Sequence, residues 1–293
     1  MDHSPLTLGF VVYRSRSGST LFADRLGRHP DVLVTPESNV IPNILKYYNS
    51  NDHSSCKWED FVRGLAHFIF SEQKLQDWKL MSEEFSQQLI EYGPCDWTKV
   101  VNLLCAAYRD MMKPDSRVVM IKKSGWYSRN LYFLLRSIPN AMAIGVIRDP
   151  RAVYNSARVA LHSENRTPLA GSLISNARGW RNFVRQVEET SDMLPQRVLF
   201  VRYEDLLEDL VLTLQRSWNH LGLNLTPIQD IQAILVDQAD SHLITDRTRH
   251  LHENVTREPI KELGTKWQNE LPCLHASIMK WICRKEMKRY LYY

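Results

Sequence analysis

Short apolar runs alternate with amphipathic helical patterns along most of this chain. Runs rich in β-branched residues have the length of buried strands at 8–13, 31–34, 117–121, 141–147 and 197–201. Apolar residues recur at helical spacing at 21–26, 38–48, 126–137, 152–161, 172–190 and 204–221. Ser38 is the predicted N-cap of the second of these helices. The alternation predicts an α/β fold of three layers, with a central, mainly parallel sheet flanked by helices.

Residues 57–112 interrupt this alternation. Apolar and aromatic side chains such as Phe61, Leu65 and Ile69 recur there at helical spacing. No linker, repeat or low-complexity segment divides the chain. We therefore interpret residues 1–293 as a single domain with a helical insertion at about 50–115, which we expect to cover the site and shape an acceptor pocket.

Composition narrows the class of protein. Of 293 residues, 44% are hydrophobic and 24% charged, as in an ordinary globular protein, and a net charge of +4 is too small to indicate a nucleic-acid partner. Five scattered cysteines without a C-x-x-C motif predict buried, reduced thiols. The amino terminus lacks a signal-peptide pattern, and no apolar run is long enough to span a bilayer. We therefore expect a cytoplasmic protein without a membrane anchor.

The turn after the first strand carries the strongest chemical signal. It reads RSRSGST at 14–20 and leads into a helix. Unpaired N–H groups and partial positive charge at a helix N-terminus make such a turn an anion cradle. Gly18 lets a phosphate approach the backbone, and Arg14 and Arg16 add permanent positive charge.

Cationic and hydroxyl side chains also follow the later strands. They lie in KKS at 122–124, in RDPR at 148–151 with Ser156 beyond it, and in RYED at 202–205. Ligands of parallel sheets bind at the carboxyl ends of the strands, so we expect one pocket for a ligand with at least two anionic groups. A P-loop kinase or nucleotide hydrolase is disfavoured, because the turn lacks the first Gly and the Lys of G-x-x-x-x-G-K-[ST].

These motifs resemble those of sulfotransferases that use 3′-phosphoadenosine 5′-phosphosulfate (PAPS) and have a P-loop-like fold. The R-S-G-[ST]-T motif of that family, at 16–20 here, implies a site for the 5′-phosphosulfate. Its R-D-P-R-x-x-x-x-S motif, at 148–156, implies a site for the 3′-phosphate. A Y-E-D-L motif at 203–206 and a K-W pair at 266–267 are also typical of the family.

Within that superfamily the chain is most similar to tyrosylprotein sulfotransferases. Residues 29–42 contain H-P-D-V and then E-S-N-V-I-P, which match the family segment with the catalytic base and imply that role for Glu37. Lys123 matches the catalytic lysine, and Arg16 the catalytic arginine. A proline replaces the acidic neighbour of the base, S-G replaces D-P after the lysine, and residues 57–112 have no match.

The resemblance also implies the ligands. The implied donor site consists of Arg16, Ser17, Gly18, Ser19, Thr20, Leu21, Arg148, Ser156, Tyr203 and Arg257. The family often closes the nucleotide site with carboxyl-terminal basic residues, for which Arg247, Arg249, Arg257 and Lys261 are the candidates here, and Arg257 is our choice. The implied acceptor is a tyrosine of a protein or peptide, with a carbohydrate or another small hydroxyl compound as the alternative. No metal or nucleic acid is implied, and a homodimer is one arrangement open to the chain.

Sulfuryl transfer gives these residue types distinct tasks. Like phosphoryl transfer, it moves an electron-poor group in line between two oxygens. The Glu37 carboxylate would take the proton of the acceptor hydroxyl. Lys123 and Arg16 would stabilise charge on the leaving phosphate and the sulfuryl oxygens, so that no metal is needed. Arg148 and Ser156 would supply binding energy remote from the sulfur.

Simpler interpretations remain open at this point. Glu37 could be a carboxylate in the first turn of the helix at 38–48, where the helix dipole favours negative charge. The chain could bind a nucleotide without catalysis, although such a protein would be expected to lack the base or the lysine. Of Lys122 and Lys123, we expect one to point into the site, and we expect Trp267 to pack within the protein.

Overall fold

Five parallel strands form the centre of the described part of the chain. The structure, a computed structural model, describes residues 6–51, 56–161, 167–223, 241–246, 249 and 262–292. The strands are β1 (Thr7–Tyr13), β2 (Val32–Val34), β3 (Val118–Lys122), β4 (Met142–Ile147) and β5 (Val198–Arg202), in the order β2-β3-β1-β4-β5. All neighbouring strands are parallel, so the predicted fold class is confirmed. Every strand boundary lies within one residue of its predicted position.

Helices cover both faces of the sheet. They are α1 (Ser19–Leu26), α2 (Val40–Ser50), α3 (Trp58–Phe70), α4 (Ser82–Tyr92), α5 (Trp97–Met112), α6 (Trp126–Arg129), α7 (Leu131–Ser137), α8 (Pro150–Val159), α9 (Leu173–Met193), α10 (Tyr203–Glu208), α11 (Leu210–His220), α12 (Glu262–Thr265), α13 (Trp267–Glu270), α14 (Cys273–Ile282) and α15 (Arg284–Arg289). Among these described helices, none has both the length and the apolar composition needed to cross a bilayer.

Two predicted helices are each divided into two. The helix predicted at 126–137 breaks between α6 and α7 at Asn130, whose backbone leaves the helical region. The helix predicted at 204–221 breaks between α10 and α11 at Asp209. The Asp209 carboxylate accepts a hydrogen bond from the Leu212 N–H at 2.9 Å and so caps the start of a new helix.

Each face of the sheet carries its own hydrophobic cluster, as expected for strands buried on both sides. Alternate residues of β1 divide between them: Phe10 and Val12 enter one cluster, and Val11 and Tyr13 the other. Helices α2, α5, α7 and α9 pack on the Phe10 side, while α1, α10 and α11 pack on the Val11 side. The carboxyl ends of all five strands therefore meet at one edge between two helical layers.

The predicted insertion is helical and belongs to the Phe10 side of the core. Helices α3, α4 and α5 and a 3₁₀ helix at Leu75–Trp78 contribute apolar side chains such as Phe61 to that cluster. Trp78 is fully buried and lies against Tyr108 of α5, with 4.9 Å between the ring centroids. The insertion therefore shares a core with the sheet, and the single-domain assignment of 1–293 stays a prediction.

Lys113 ties the end of the insertion to the amino-terminal edge of the sheet. Its Nζ donates hydrogen bonds to the backbone oxygens of Gly27, His29 and Val32 at 2.9, 2.6 and 3.0 Å. We expect Lys113→Met to lower the free energy of unfolding by about 2–4 kcal/mol, since one hydrogen bond to a charged group is worth about 1.5–3 kcal/mol. Urea unfolding measures this loss. Lys57→Met, at an exposed lysine, is the control, and equal losses in the two variants would contradict the expectation.

The five cysteines are free thiols. Cys105 and Cys283 are buried, as predicted, and Cys95 is partly buried. Cys56 and Cys273 are exposed, so the prediction of buried thiols is wrong for these two. Cys56 lies in the segment before α3, and connecting segments run over the protein surface, whereas Cys273 is the first residue of the surface helix α14.

Candidate active site

The carboxyl ends of the strands bring the predicted site residues to one edge of the sheet. From the end of β3, Lys122 Nζ donates to Thr20 Oγ1 at 3.0 Å. From the end of β4, one terminal nitrogen of Arg148 donates to the Arg16 carbonyl oxygen at 3.3 Å. Arg16 Nε donates in turn to Ser156 Oγ at 3.1 Å. The predicted convergence of cations and hydroxyls therefore occurs in the structure.

The turn after β1 has the backbone shape of an anion cradle. Arg16 and Gly18 have positive φ angles of 72° and 78°, and Gly18 is the N-cap of α1. The first hydrogen bond of α1 runs from Phe22 N to Gly18 O at 3.1 Å, so the N–H groups before it lie in the first turn, where helices bind anions. The hydroxyl and the N–H of Ser17 both donate to the Arg14 carbonyl oxygen, at 2.5 and 3.1 Å. Both hydrogen-bond donors of Ser17, a residue that the resemblance places in the nucleotide site, therefore stabilise the turn itself.

The side chains of the first turn of α1 point in different directions. Thr20 accepts the hydrogen bond from Lys122, and the Ser19 hydroxyl is hydrogen-bonded to Tyr13. The Leu21 side chain is buried in the cluster on the Val11 side of the sheet, so Leu21 can contribute only its first-turn backbone N–H to an anion site. The helix start thus contributes mainly backbone groups to an anion site.

Glu37 lies between two lysines and a tyrosine. Its Oε1 accepts hydrogen bonds from Tyr13 Oη and, at 3.3 Å, from Lys122 Nζ. Lys123 Nζ lies 3.3 Å from Oε2. The two lysine side chains are 3% and 9% exposed, whereas the Glu37 side chain is 34% exposed. The carboxylate therefore borders solvent, with its counter-charges buried behind it.

Lys122 and Tyr13 are members of this group that the sequence did not single out. We expected one of the two adjacent lysines to point into the site, and both do. Lys122 is the last residue of β3, and Lys123 N still donates to Val11 O at 3.0 Å, so both lysines stay close to β1. Tyr13 ends the neighbouring strand β1. Its position at that strand end is the signal that could have identified it.

The charges around Glu37 fix its ionisation. Burial raises the pKa of Glu37, but the attraction of Lys122 and Lys123 and the hydrogen bond from Tyr13 outweigh it, so this pKa lies well below its usual value. Burial, followed by the charge of Glu37, raises the pKa of Tyr13. Burial lowers the pKa of Lys122. At neutral pH Glu37 is therefore ionised, and Tyr13 keeps its proton.

Arg148 occupies the other half of the edge, beyond β1. Its guanidinium lies 4.3 Å from the centroid of the Tyr203 ring. Its terminal nitrogens donate to Arg16 O and to Leu263 O, at 3.3 and 2.5 Å. Its Nε is buried and has no hydrogen-bond partner within the described part of the chain. A buried cation with a spare donor fits a negatively charged ligand such as a phosphate.

Neighbouring side chains stabilise the segment after β4 that carries Arg148. Asp149 binds the Arg151 guanidinium, with Arg151 Nε 2.9 Å from one carboxylate oxygen and a terminal nitrogen 2.6 Å from the other. Arg151 lies 4.0 Å from the centroid of Trp267, so this ring packs on a protein cation, as expected. Glu204 accepts hydrogen bonds from Asp149 N at 3.0 Å and Tyr292 Oη at 2.8 Å. Glu204 therefore links the segment after β4 to the carboxyl-terminal residues.

The carboxyl-terminal basic residues are placed only in part. Arg257, which we expect to close over the nucleotide, lies outside the described residues, as do Arg247 and Lys261. Arg249 is described, and it is exposed and pairs with Asp246 at 3.4 Å. Within the described ranges, no group of three His, Cys, Asp or Glu side chains is arranged to hold a metal ion.

The segment before α2 presents Glu37 outside the helix. Helix α2 begins at Val40 with Asn39 as its N-cap, so the prediction of Ser38 as the N-cap is wrong. The first turn of α2 contains no acidic residue, which excludes the interpretation of Glu37 as a first-turn carboxylate. Glu72, just after α3, instead accepts hydrogen bonds from Asn39 N through both oxygens, at 2.8 and 3.0 Å. A carboxylate of the insertion thus takes the helix-start role.

Gly18 approaches the Tyr203 ring so closely that a Cβ atom would overlap with it. We expect Gly18→Ala to weaken binding of 3′-phosphoadenosine 5′-phosphate (PAP) about tenfold or more, because the positive φ and the overlap together force the turn to move. Isothermal titration calorimetry measures the change. Gly222→Ala is the matched control, since Gly222 has a φ of 73° but no atom within 4 Å of the position of its Cβ. Equal PAP affinity in the two variants would contradict the expectation.

Comparison with known proteins identifies the family. The chain matches the sequence profile of the Sulfotransferase family over residues 10–227. It is 24% identical over 255 residues to Carbohydrate sulfotransferase 4 of Mus musculus, an alignment that covers 72% of this chain. The alignment covers 64% of the mouse protein, so the chain spans less than two thirds of the length of that relative.

Solved structures share the fold. The sulfotransferase domain from the curacin biosynthetic pathway has a TM-score of 0.63 at 16% identity, over 100% of this chain and 99% of that domain. Mouse sulfotransferase SULT7A1, complexed with PAP, has a TM-score of 0.52 at 13% identity, over 96% of this chain and 85% of that one. Because the family profile covers most of the chain, the resemblance of its motifs to those of sulfotransferases is confirmed: the chain belongs to the sulfotransferase family.

Proposed function

We propose that this sulfotransferase transfers the sulfuryl group of PAPS to a tyrosine hydroxyl of a protein or peptide. The observation that carries the proposal is the Glu37 carboxylate, which is partly exposed and paired with Lys123. On the other side of β1, the Arg148 guanidinium donates a hydrogen bond to the backbone carbonyl oxygen of Arg16. This arrangement supplies a general base, a cation that can stabilise the leaving group, and positively charged side chains that can bind PAPS.

The donor site has two halves in this proposal. The first turn of α1 and Arg16 would hold the 5′-phosphosulfate, because unpaired N–H groups and a guanidinium both favour anions. Arg148, with its spare Nε donor, would hold the 3′-phosphate together with Ser156. The hydrogen bond from Arg16 Nε to Ser156 Oγ connects the two halves. Tyr203, stacked against Arg148, would contact the nucleotide.

In the reaction, the acceptor oxygen attacks sulfur in line with the bond from sulfur to the 5′-phosphate oxygen. That bond breaks as the new O–S bond forms, and PAP leaves with the electron pair. The Glu37 carboxylate takes the acceptor proton. Lys123 and Arg16 stabilise the charge on the leaving phosphate oxygen and on the sulfuryl oxygens.

The ionisation of Glu37 favours a phenol over an aliphatic alcohol as the acceptor. Since the nearby lysines hold the pKa of Glu37 well below its usual value, it is a weak base. A tyrosine hydroxyl has a pKa of about 10. An aliphatic hydroxyl is comparable to water, at about 15.7. Tyr13 Oη already donates a hydrogen bond to Glu37, and that is the contact an acceptor tyrosine would make.

A carbohydrate is the second candidate acceptor, favoured by the similarity to Carbohydrate sulfotransferase 4. Transfer of radiolabelled sulfate from PAPS to tyrosine peptides and to glycans separates the two candidates. We expect label on tyrosine peptides and none on the same peptides with phenylalanine in place of tyrosine. Label on glycans alone would overturn the tyrosine proposal in favour of a sugar hydroxyl.

A further inference from the structure

The helical insertion contacts the segment that carries Glu37 on both sides of this residue. Trp78 Nε1 donates a hydrogen bond to the Pro36 carbonyl oxygen at 3.2 Å. Two residues after Glu37, Asn39 N donates to both carboxylate oxygens of Glu72, at 2.8 and 3.0 Å. The backbone around Glu37 is therefore held by side chains of the insertion.

Both Trp78 and Glu72 are themselves held in place by further contacts. The Trp78 side chain is fully buried and its ring lies against Tyr108. The Glu72 carboxylate also accepts hydrogen bonds from Asn39 Nδ2 at 2.9 Å and Asn43 Nδ2 at 3.1 Å. Hydrogen bonds to a charged acceptor are about twice as strong as those between neutral groups. Glu72 therefore fixes the first turn of α2 relative to the insertion.

The partners of Glu37 belong to other elements. Tyr13 ends β1, and Lys122 and Lys123 lie at the end of β3, whereas Glu37 itself follows the short strand β2. Its orientation toward these groups depends on where its own segment is held. A misplacement of about 1 Å in a catalytic group can lower a rate about 100-fold.

We propose that Glu72 and Trp78 are positioning residues for the base Glu37, so that the helical insertion takes part in catalysis through the backbone that carries the base. This inference rests on the proposed function, because it takes Glu37 as the base. It assigns a role to a part of the chain that no sequence motif explained.

The insertion provides a matched pair of tryptophans for the test. Trp58 Nε1 donates to the Leu89 carbonyl oxygen, also at 3.2 Å, but this bond lies within the insertion. We expect Trp78→Phe to lower kcat with saturating PAPS and tyrosine peptide about tenfold or more, with unchanged affinity for PAP. Trp58→Phe should keep kcat within about twofold of the wild type, although it loses the same kind of hydrogen bond. Equal kcat in the two variants would overturn the positioning role.

Measured over the pH range in which both variants are folded, the pH profile provides a readout that general destabilisation does not move. The groups facing Glu37 are Tyr13 from β1, Lys122 and Lys123 from β3, and Lys74 from the insertion. The three lysines keep its pKa low only while the carboxylate stays near them. We therefore expect the acidic limb of kcat/KM to move to higher pH in Trp78→Phe and to stay in place in Trp58→Phe.

Variants of Glu72 test the other contact, and they carry the test alone if Trp78→Phe does not fold. Glu72→Ala removes the acceptor of the Asn39 N–H, whereas Glu72→Gln keeps one oxygen in its place. We expect kcat to fall in Glu72→Ala and to recover in part in Glu72→Gln. Equal losses of kcat in these two variants would argue against positioning through this hydrogen bond.

The outcomes separate this inference from the proposed function. If the wild-type protein labels no tyrosine peptide, or if Glu37→Gln is as active as the wild type, the proposed function fails and the positioning role is overturned with it. If the wild type labels tyrosine and depends on Glu37, but Trp78→Phe behaves like Trp58→Phe, the positioning role alone is wrong.

Discussion

Replacement of Glu37 by glutamine should remove most of the sulfuryl transfer. We expect kcat to fall about 10²–10⁴-fold, since a positioned general base contributes that much to a rate. The amide keeps the shape of the side chain and can still accept a hydrogen bond from Tyr13, but it cannot take the acceptor proton. Lys122 and Lys123 remain in place, so the affinity for PAP should not fall. Initial rates with saturating PAPS and tyrosine peptide measure the effect.

Glu59→Gln is the matched control for this variant. Glu59 is exposed in the first turn of α3, and its amide variant should keep the wild-type kcat. Titration with PAP then separates a lost base from a damaged donor site. A Glu37→Gln protein that turns over at a near-normal rate would make the base assignment wrong. One that loses PAP affinity together with kcat would point to a structural role instead.

Replacement of Arg148 by alanine should instead act on donor binding. We expect the Kd for PAP to rise about 10- to 150-fold, because a hydrogen bond to a charged group is worth about 1.5–3 kcal/mol and each 1.4 kcal/mol is a factor of ten. Strand β1 lies between the strand that leads to Arg148 and the strand that leads to Glu37. The kcat at saturating PAPS should therefore change less than the Kd for PAP. Isothermal titration calorimetry with PAP measures the affinity.

A ligand without the 3′-phosphate tests the reason for this loss. AMP lacks that group, so Arg148→Ala should weaken its binding far less than that of PAP. Arg136→Ala, at an exposed arginine of α7, controls for the removal of one positive charge and should leave PAP binding unchanged. Equal losses of AMP and PAP affinity in Arg148→Ala would show that Arg148 does not recognise the 3′-phosphate.

The sheet and the motif positions could be predicted because their signals are local. A run of apolar β-branched residues predicts a strand wherever the chain goes next, and parallel strands must then place their carboxyl ends at one edge. The boundaries of β1 to β5 were therefore predicted to within one residue. The helix break at Asp209 also has a local cause, a side-chain cap that the apolar periodicity of the surrounding residues conceals.

The start of α2 could not be predicted in the same way. Ser38 is a good N-cap residue by type, but the carboxylate that binds the helix start is Glu72, at a separation of 33 residues in the chain. Because Glu72 binds the start of α2, Glu37 is not the carboxylate of that helix start, an interpretation that the sequence alone had to leave open. The direction of the Lys122 side chain could likewise not be predicted, since the alternation of side chains along a strand does not show where the backbone leaves the sheet.

By itself, the sequence determined the parallel α/β fold, the family and the residues at the strand ends. Those features depend on apolar periodicity, turn chemistry and motif order, which are properties of short stretches. Only the tertiary structure decided that both lysines and Tyr13 face Glu37, and that the insertion holds its segment through Glu72 and Trp78. These contacts join residues from separate elements, so their existence depends on how β1, β3 and the insertion pack, which no local pattern encodes.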